Sequence, residues 1–260
     1  MTILDQLAAH ARLRVEEARK RLPLAALREL AMALPVGEKP FEAAISRPGI
    51  SFICECKRAS PSKGLIAPEY PYLQIARDYE AAGADCLSVL TEPKWFLGSD
   101  AHLRDIAAAV SIPCLRKDFT VDPYMIYEAK VLGASAVLLI CALYDGQQLQ
   151  KAIGLCDTLG LSALVETHDE AEVELALRAG ARILGVNNRN LRDFSVDPDN
   201  SRRLRALVPP EVLFVAESGV QSAADAAALR AAGADAVLVG ETMMRAPDKA
   251  AKLEELRGGL

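Results

Sequence analysis

Glu55 and Lys57 stand two residues apart in a segment, 50–57, whose other members (Ile50, Phe52, Ile53, Cys54, Cys56) suit an interior β-strand. Successive strand side chains alternate faces. The carboxylate and the ammonium therefore share one face, about 6.5 Å apart by the strand rise, and Cys54 and Cys56 share the other. Charges on the inward face of a strand are costly unless they pair or take part in chemistry. A Ser-Pro-Ser-Lys-Gly loop follows at 60–64, the kind of segment on which binding groups sit. Apolar runs ending on polar groups recur at Thr91-Glu92, Lys117-Asp118-Phe119, Glu166, Asn187-Asn188-Arg189, Glu217-Ser218-Gly219 and Gly240-Glu241. Lysines and glutamates of this kind suit acid–base and electrostatic catalysis.

An internal repeat supplies the elements that must position them. Ala-Gly-Ala-Asp-Cys-Leu-Ser-Val-Leu (82–90) returns in related form at 132–140, 179–186 and 232–240, each time after a helical pattern and at the start of an apolar run. Gly83, Gly133, Gly180 and Gly233 are expected to end those helices in the left-handed conformation. Further strand-like runs at 50–57, 112–117, 162–167 and 212–217 bring the total to eight. Amphipathic helices are expected at 70–82, 122–132, 145–159, 169–179 and 222–232. Near-continuous apolar strands alternating with helices mean a parallel sheet buried on both faces. Eight such units in a chain of this length predict an α/β fold, the (β/α)8 TIM barrel. An open doubly wound sheet is the alternative, but it would carry a Gly-x-Gly-x-x-Gly turn after its first strand, and the sequence has none.

The expected organisation is one domain, with a helical N-terminal extension at 1–48 and the barrel at 49–260. The extension reads as one or two amphipathic helices, placed either as a plug under the barrel or as a cap over its open end. In this fold the active site lies at the C-terminal strand ends, and the loops after strands seven and eight form a phosphate cradle. Ser218-Gly219 and Gly240-Glu241 fit such a cradle, with 241–245 as its short helix. Glu241 would contribute its N–H while its carboxylate points away. Trp95, Phe96, Pro61, Phe119, Leu138 and Leu191 are apolar residues near strand ends that either pack or wall a pocket for a flat ring. His168 reads as a loop residue, and His10 and His102 fall in helical patterns without signal.

The 260-residue chain is 51% hydrophobic and 25% charged, with a formal net charge of −5. Its acidic balance argues against a nucleic-acid partner. Its apolar runs fall short of the ~18 residues of a membrane span, and the N-terminus lacks the apolar stretch of a signal peptide. The six cysteines lie mostly in apolar runs without metal-ligand spacing and read as reduced core residues of a cytoplasmic protein. Neither a metal nor a cofactor is expected. The partner is a phosphorylated small molecule, and the chain is expected as a monomer, with a weak dimer as the alternative.

Five segments together carry a resemblance: 52–64 (Phe-Ile-Cys-Glu-Cys-Lys-Arg-Ala-Ser-Pro-Ser-Lys-Gly), 115–129, 163–168 (Ala-Leu-Val-Glu-Thr-His), 185–191 and 216–219 with 237–241. Over residues 45–245 the chain resembles indole-3-glycerol phosphate synthase of tryptophan biosynthesis. Pro93 and Trp95 depart from that family's commoner polar residues. The resemblance implies ring closure of 1-(2-carboxyphenylamino)-1-deoxyribulose 5-phosphate with loss of carbon dioxide and water. It implies Lys117 as general acid, with a pKa lowered by burial and by Lys57. Glu166 would be the base or the stabiliser of a cationic nitrogen. Glu55 and Lys57 would serve water loss and substrate anchoring, and Asn187 and Glu217 would hold the ribulose portion. Ser60 and Arg189 suit the anthranilate carboxylate. Pro61, Phe96, Phe119 and Leu191 would sandwich its ring, and Ser218, Gly219, Gly240 and Glu241 would take the phosphate. The length leaves no room for the isomerase domain fused to this enzyme in some organisms. A related isomerase barrel of the same pathway would use a Cys/Asp pair instead, and a catalytically silent barrel would not need these lysines and glutamates.

Overall fold

The computed structural model describes residues 2–190 and 194–258; Leu191, one of the expected ring contacts, lies outside them. Eight parallel strands close into a barrel: β1 (Ser51–Cys56), β2 (Cys86–Leu90), β3 (Cys114–Lys117), β4 (Ala136–Ile140), β5 (Ser162–Thr167), β6 (Ile183–Asn187), β7 (Leu213–Glu217) and β8 (Ala236–Val239). Each strand pairs with its sequence neighbours. β8 closes on β1 from Ser51↔Ala236 to Cys54↔Val239. The strand-period alternation of the sequence sorts the core into two parts. Outward residues such as Cys54, Val89, Leu139, Val165 and Val186 pack under the surrounding helices. Ile53, Leu115, Leu138, Leu164, Ile183, Val215 and Leu238 fill the interior.

The interior is built in layers drawn from alternate strands, as closure of this fold requires. On the odd strands each apolar interior residue is followed two positions later by a charged one. Ile53 precedes Glu55, Leu115 precedes Lys117, Leu164 precedes Glu166 and Val215 precedes Glu217. The strands thus bury an apolar floor and end in a ring of four charges.

The helices expected between the strands lie where the periodicity places them, α4 (Tyr72–Ala81), α6 (Pro123–Val131), α7 (Gly146–Leu159), α8 (Glu170–Arg178) and α10 (Ala223–Ala231), joined by α5 (Asp100–Ala109) and α9 (Asp199–Arg205) and followed by α11 (Glu241–Arg245) and α12 (Lys249–Arg257). The four repeat glycines have φ of +87° to +92°, the left-handed helix ends the sequence called for. A two-stranded hairpin, Ala59–Ser60 against Gly64–Leu65, shapes the loop after β1, a pairing not expected from the Ser-Pro-Ser-Lys-Gly pattern. No helix among the described residues is long and apolar enough to cross a membrane.

The first part of the N-terminal extension is helical as expected, a third, short helix follows before the barrel, and the extension serves both of the expected roles. The helix α1 (Ile3–Arg21) lies over the C-terminal strand ends. Its Arg14 makes two hydrogen bonds to the Asp118 carboxylate, at 2.6 and 3.0 Å. Its His10 Nδ1 lies 3.1 Å from Glu92. The helix α2 (Leu24–Ala33) runs down the flank against α6. The helix α3 (Pro40–Ile45) closes the opposite end: Phe41, Ala44 and Ile45 join the interior core, and the Ala44 carbonyl accepts from Ser51 Oγ. One extension therefore both caps and plugs the barrel.

Asp118 is buried, and burial pushes its carboxyl up, but Arg14 and Arg116 outweigh that and hold it below the ordinary value of 3.8. A depressed carboxylate stabilises the fold above its unfolded pKa and loses that contribution as pH falls through the folded value. Arg14→Met leaves the buried anion with one guanidinium fewer. It is expected to cost about 3 kcal/mol at neutral pH, with the gap from the wild type narrowing as the pH drops below 3.8. Urea unfolding at a series of pH values measures both.

Candidate active site

Lys117 reaches the barrel axis from the end of β3, with its Nζ 2.9 Å from Glu166 Oε2 and 3.1 Å from Glu217 Oε2. Glu55 pairs with Lys57 at 2.6 Å and accepts from Ser88 Oγ at 3.2 Å. The Glu55–Lys57 proximity inferred from strand alternation is thus a direct ion pair. Asn187 Nδ2 donates to Glu166 Oε1 at 3.3 Å. Asn187 Oδ1 accepts from Ser218 Oγ at 2.9 Å and from the Arg189 N–H at 3.0 Å. One side-chain amide therefore ties β6 to β5 and to the loop after β7.

Small residues on the even strands make room for the charged ring. A methyl group added to Gly185 of β6 would overlap Glu217 Oε1, and one added to Gly240 would come within 2.6 Å of Glu55 and 2.7 Å of Lys57 Nζ. Ser88 of β2 fills the corresponding gap as a hydrogen-bond donor to Glu55. At the rim, Ser218 has φ +67° and Gly219 +99°. A non-glycine residue in that region carries roughly 1–3 kcal/mol of strain, and such strain concentrates at functional sites.

These groups line one cavity of about 700 Å3, within the range of small-molecule sites. The described candidates for catalysis and substrate binding border it: Glu55, Lys57, Ser60, Pro61, Phe96, Lys117, Phe119, Glu166, Asn187, Arg189, Glu217, Ser218, Gly219, Gly240 and Glu241. It has two chemically different ends. Phe96 and Phe119, with ring centroids 6.0 Å apart, form an apolar wall joined by Ile3 and Leu7 of α1. Ser218, Gly219, Gly240 and the start of α11 form a glycine-rich end. The Glu241 carboxylate turns to Arg245 at 3.0 Å and to Lys63 of the β1 hairpin loop at 3.4 Å. Arg189 Nη1 donates to the Phe194 carbonyl at 3.0 Å. No group of three His, Cys, Asp or Glu among the described residues is arranged to hold a metal ion, and all six cysteines are buried free thiols.

Several residues stand differently from their sequence reading. Burial disfavours the Lys117 ammonium, but Glu166, Glu217 and Glu55 outweigh it, and the pKa is pushed up rather than lowered. The neighbouring charges that matter are anions from three other strands, and the Lys57 ammonium is already taken by Glu55. Trp95 lies outside the cavity lining and meets the edge of His10 at 5.3 Å. His10 therefore has a place: it joins the Lys94, Trp95 and Phe96 N–H groups around the buried Glu92 carboxylate, which fixes the loop that presents Phe96. His168 is not a bystander in a loop. Its Nε2 lies 3.4 Å from Glu166 Oε1. Strand alternation carried a signal for this contact, because residues 166 and 168 share a face.

The two carboxylates beside Lys117 differ. Burial raises both, but Glu166 is held down by Lys117 and His168. Glu217 stays up, at about 7, because burial and the Glu166 and Glu55 charges outweigh its contact with Lys117. Its Oε1 has no hydrogen-bond partner among the described residues.

The family model "Indole-3-glycerol phosphate synthase" matches residues 4–256. The indole-3-glycerol phosphate synthase of Ruminiclostridium cellulolyticum is 56% identical over 258 residues, covering 98% of this chain and 99% of that protein. The one from Lactiplantibacillus plantarum is 52% identical over 259 residues, covering 99% of each. Among solved structures, 3-hexulose-6-phosphate synthase from Salmonella typhimurium superposes with a TM-score of 0.67 at 17% identity, over 81% of this chain and 98% of that one. That likeness is one of fold.

The raised Glu217 carboxyl makes a signed prediction. A group protonated in the folded state up to about 7 and in the unfolded state only up to 4.5 destabilises the fold increasingly as pH rises between those values. Glu217→Gln removes that cost while keeping an oxygen for Lys117. Its melting temperature is expected to match the wild type at pH 4 and to exceed it at pH 8, as read by thermal denaturation across that range.

Proposed function

The chain belongs to the indole-3-glycerol phosphate synthase family of tryptophan biosynthesis, a decarboxylating lyase, and from that premise we propose how its strand-end residues close the ring. The substrate is 1-(2-carboxyphenylamino)-1-deoxyribulose 5-phosphate. Its aryl carbon, the one bearing the carboxylate, attacks the ribulose carbonyl; carbon dioxide and then water leave to give indole-3-glycerol phosphate. The observation that carries the assignment is the placement of Lys117 Nζ between Glu166 and Glu217, on a cavity with an aromatic wall at one end and a glycine-rich rim at the other.

The aromatic wall of Phe96 and Phe119, with Pro61, takes the anthranilate ring. Ser60 and Arg189 face its carboxylate. Ser218, Gly219, Gly240 and the Glu241 N–H take the phosphate, since backbone amides freed of side chains approach an anion closely. A substrate held at both ends across one cavity has its carbonyl delivered to the lysine, and such positioning is itself a large part of the rate.

Lys117 is fully charged before substrate arrives. Its role is to donate to the carbonyl oxygen as negative charge develops there, a contribution that a dry, preorganised site magnifies. Proton release from an ammonium ringed by three anions is unfavourable. A proton on Glu217 removes one of those anions and makes the lysine a better acid. Glu166, ionised beside it, stabilises the cationic nitrogen formed on attack. Loss of carbon dioxide from the attacking carbon restores the benzene ring, and Glu166 later accepts the C–H proton of the methylene next to nitrogen, whose loss completes the indole. Glu55 and Lys57, a preformed pair at the end of β1, serve the water-loss step. The lysine protonates the hydroxyl, which leaves as water, and the Glu55 carboxylate orients the lysine and stabilises the cation left behind until its C–H proton passes to Glu166. Asn187 and Glu217 hold the ribulose hydroxyls.

Indole fluorescence is expected to appear when the purified chain meets the carboxyphenylamino-deoxyribulose phosphate; absence of signal overturns the assignment. Lys117→Met is expected to lower kcat about a thousandfold while substrate binding, followed by fluorescence titration, changes little.

A further inference from the structure

Glu166 and Glu217 both touch Lys117 and both are buried, yet only one can serve as an ionised base. What separates them is His168. The imidazole stands behind Glu166, outside the cavity lining, with Nε2 3.4 Å from Glu166 Oε1 and Nδ1 3.2 Å from Glu172 Oε2. Its orientation is fixed from three sides. The His168 N–H donates to Glu172 Oε2 at 2.8 Å, Glu172 is anchored through its own N–H to Asp169 at the start of α8, and the His168 carbonyl accepts from Asn200 Nδ2 of α9. With Nδ1 turned to one carboxylate, Nε2 is buried on the side of the other, at ion-pair distance from Glu166 and without a hydrogen bond of its own among the described residues.

We propose that His168 is a positioning residue that decides which of the two carboxylates beside Lys117 keeps the proton, holding Glu166 ionised and leaving Glu217 to carry it. The inference rests on the reading of Glu166 as the proton acceptor. Among the described residues, the charged side chains that act most strongly on the imidazole are acids: Glu166 from β5, Glu172 from α8 and, at longer range, Glu217 from β7. Burial disfavours the imidazolium, but those carboxylates outweigh it and raise its pKa. An imidazole between two carboxylates keeps both N–H groups and its charge. Glu166 therefore faces two cations and the Asn187 amide, whereas Glu217 faces one cation and presents an unpartnered Oε1 to the β6 backbone. Two adjacent carboxyls whose surroundings push their proton affinities apart are the usual basis for dividing acid and base roles.

The chain has only three histidines, at 10, 102 and 168, so imidazole NMR resonances resolve them, with His168→Gln supplying the assignment. His168 is expected to titrate above the ordinary histidine value, and in Glu166→Gln its midpoint should fall by about one unit. An ordinary midpoint that ignores Glu166→Gln overturns the proposal. In turnover, His168→Gln is expected to move the acidic limb of the kcat profile up by about one unit, so that kcat at mildly acidic pH falls about tenfold with KM nearly unchanged. A lower melting temperature with an unmoved limb would mean a purely structural histidine. The two readings separate cleanly. If Glu166 is not the acceptor, Glu166→Gln stays active whatever the NMR coupling. If only the His168 inference is wrong, Glu166→Gln is inactive and the coupling is absent.

Discussion

A lysine ammonium buried among three carboxylates is the constraint around which this barrel is arranged. Removing one charge from water costs several kcal/mol even after relaxation, and only close counter-charges with correct geometry offset it. Lys117 meets that requirement with Glu166 and Glu217 in contact and Glu55 nearby. The four residues come from β3, β5, β7 and β1, so the cluster exists only when the sheet has closed. No two of them are brought together by local structure. The charged layer is also the reason for the small residues between them. Ser88 of β2, Gly185 of β6 and Gly240 just past β8 stand at the level where a larger side chain would collide with Glu217 or Glu55.

The same constraint explains why the sequence shows its fold and conceals part of its site. Alternation along one strand says which residues share a face, and it put Glu55 and Lys57 together; reading the strand ends in order brought Lys117, Glu166 and Glu217 to the same rim, and all five border the cavity. The repeat of helix, glycine and apolar run showed eight units. What alternation along one strand does not contain is the partner across the barrel. For that reason Lys117 read as a lysine beside Lys57, with a depressed pKa, whereas closure surrounds it with glutamates. His168, two residues past Glu166, read as a loop residue because a histidine just past a strand ordinarily is one; its significance depends on Glu172, in the first turn of α8, and on Glu166 sharing its face. The extension at 1–48 was ambiguous for a related reason. Its amphipathic pattern records that one side is buried, but caps and plugs have the same pattern.

The cavity follows from how charge and apolar surface divide along the barrel axis. Below the charged layer the interior is Ile, Leu and Val; above it the strand loops diverge in composition. Loops after β2 and β3 carry Phe96 and Phe119, and those after β7 and β8 carry Ser218, Gly219 and Gly240. A molecule with a flat ring at one end and a phosphate at the other fits that division in one orientation only. Reversing it would bury the phosphate against phenylalanines and leave backbone amides facing a ring.

β3 links this chemistry to the cap. Its last residues alternate in use: Leu115 packs in the interior, and Arg116 turns outward to Asp100, Glu128 and the Met125 carbonyl. Lys117 enters the site, and Asp118 is gripped by Arg14 of α1 and by Thr91. The residues on either side of the lysine are thus pinned in buried ion pairs, one to the surrounding helices and one to the cap. A flexible four-carbon side chain gains precision when the backbone that bears it cannot move. Buried ion pairs are poor sources of net stability compared with apolar packing, so their presence at both flanks of Lys117 is better explained by position than by energy. The cap carries Ile3 and Leu7 on the cavity wall. The same contact that fixes the lysine therefore also fixes the apolar wall.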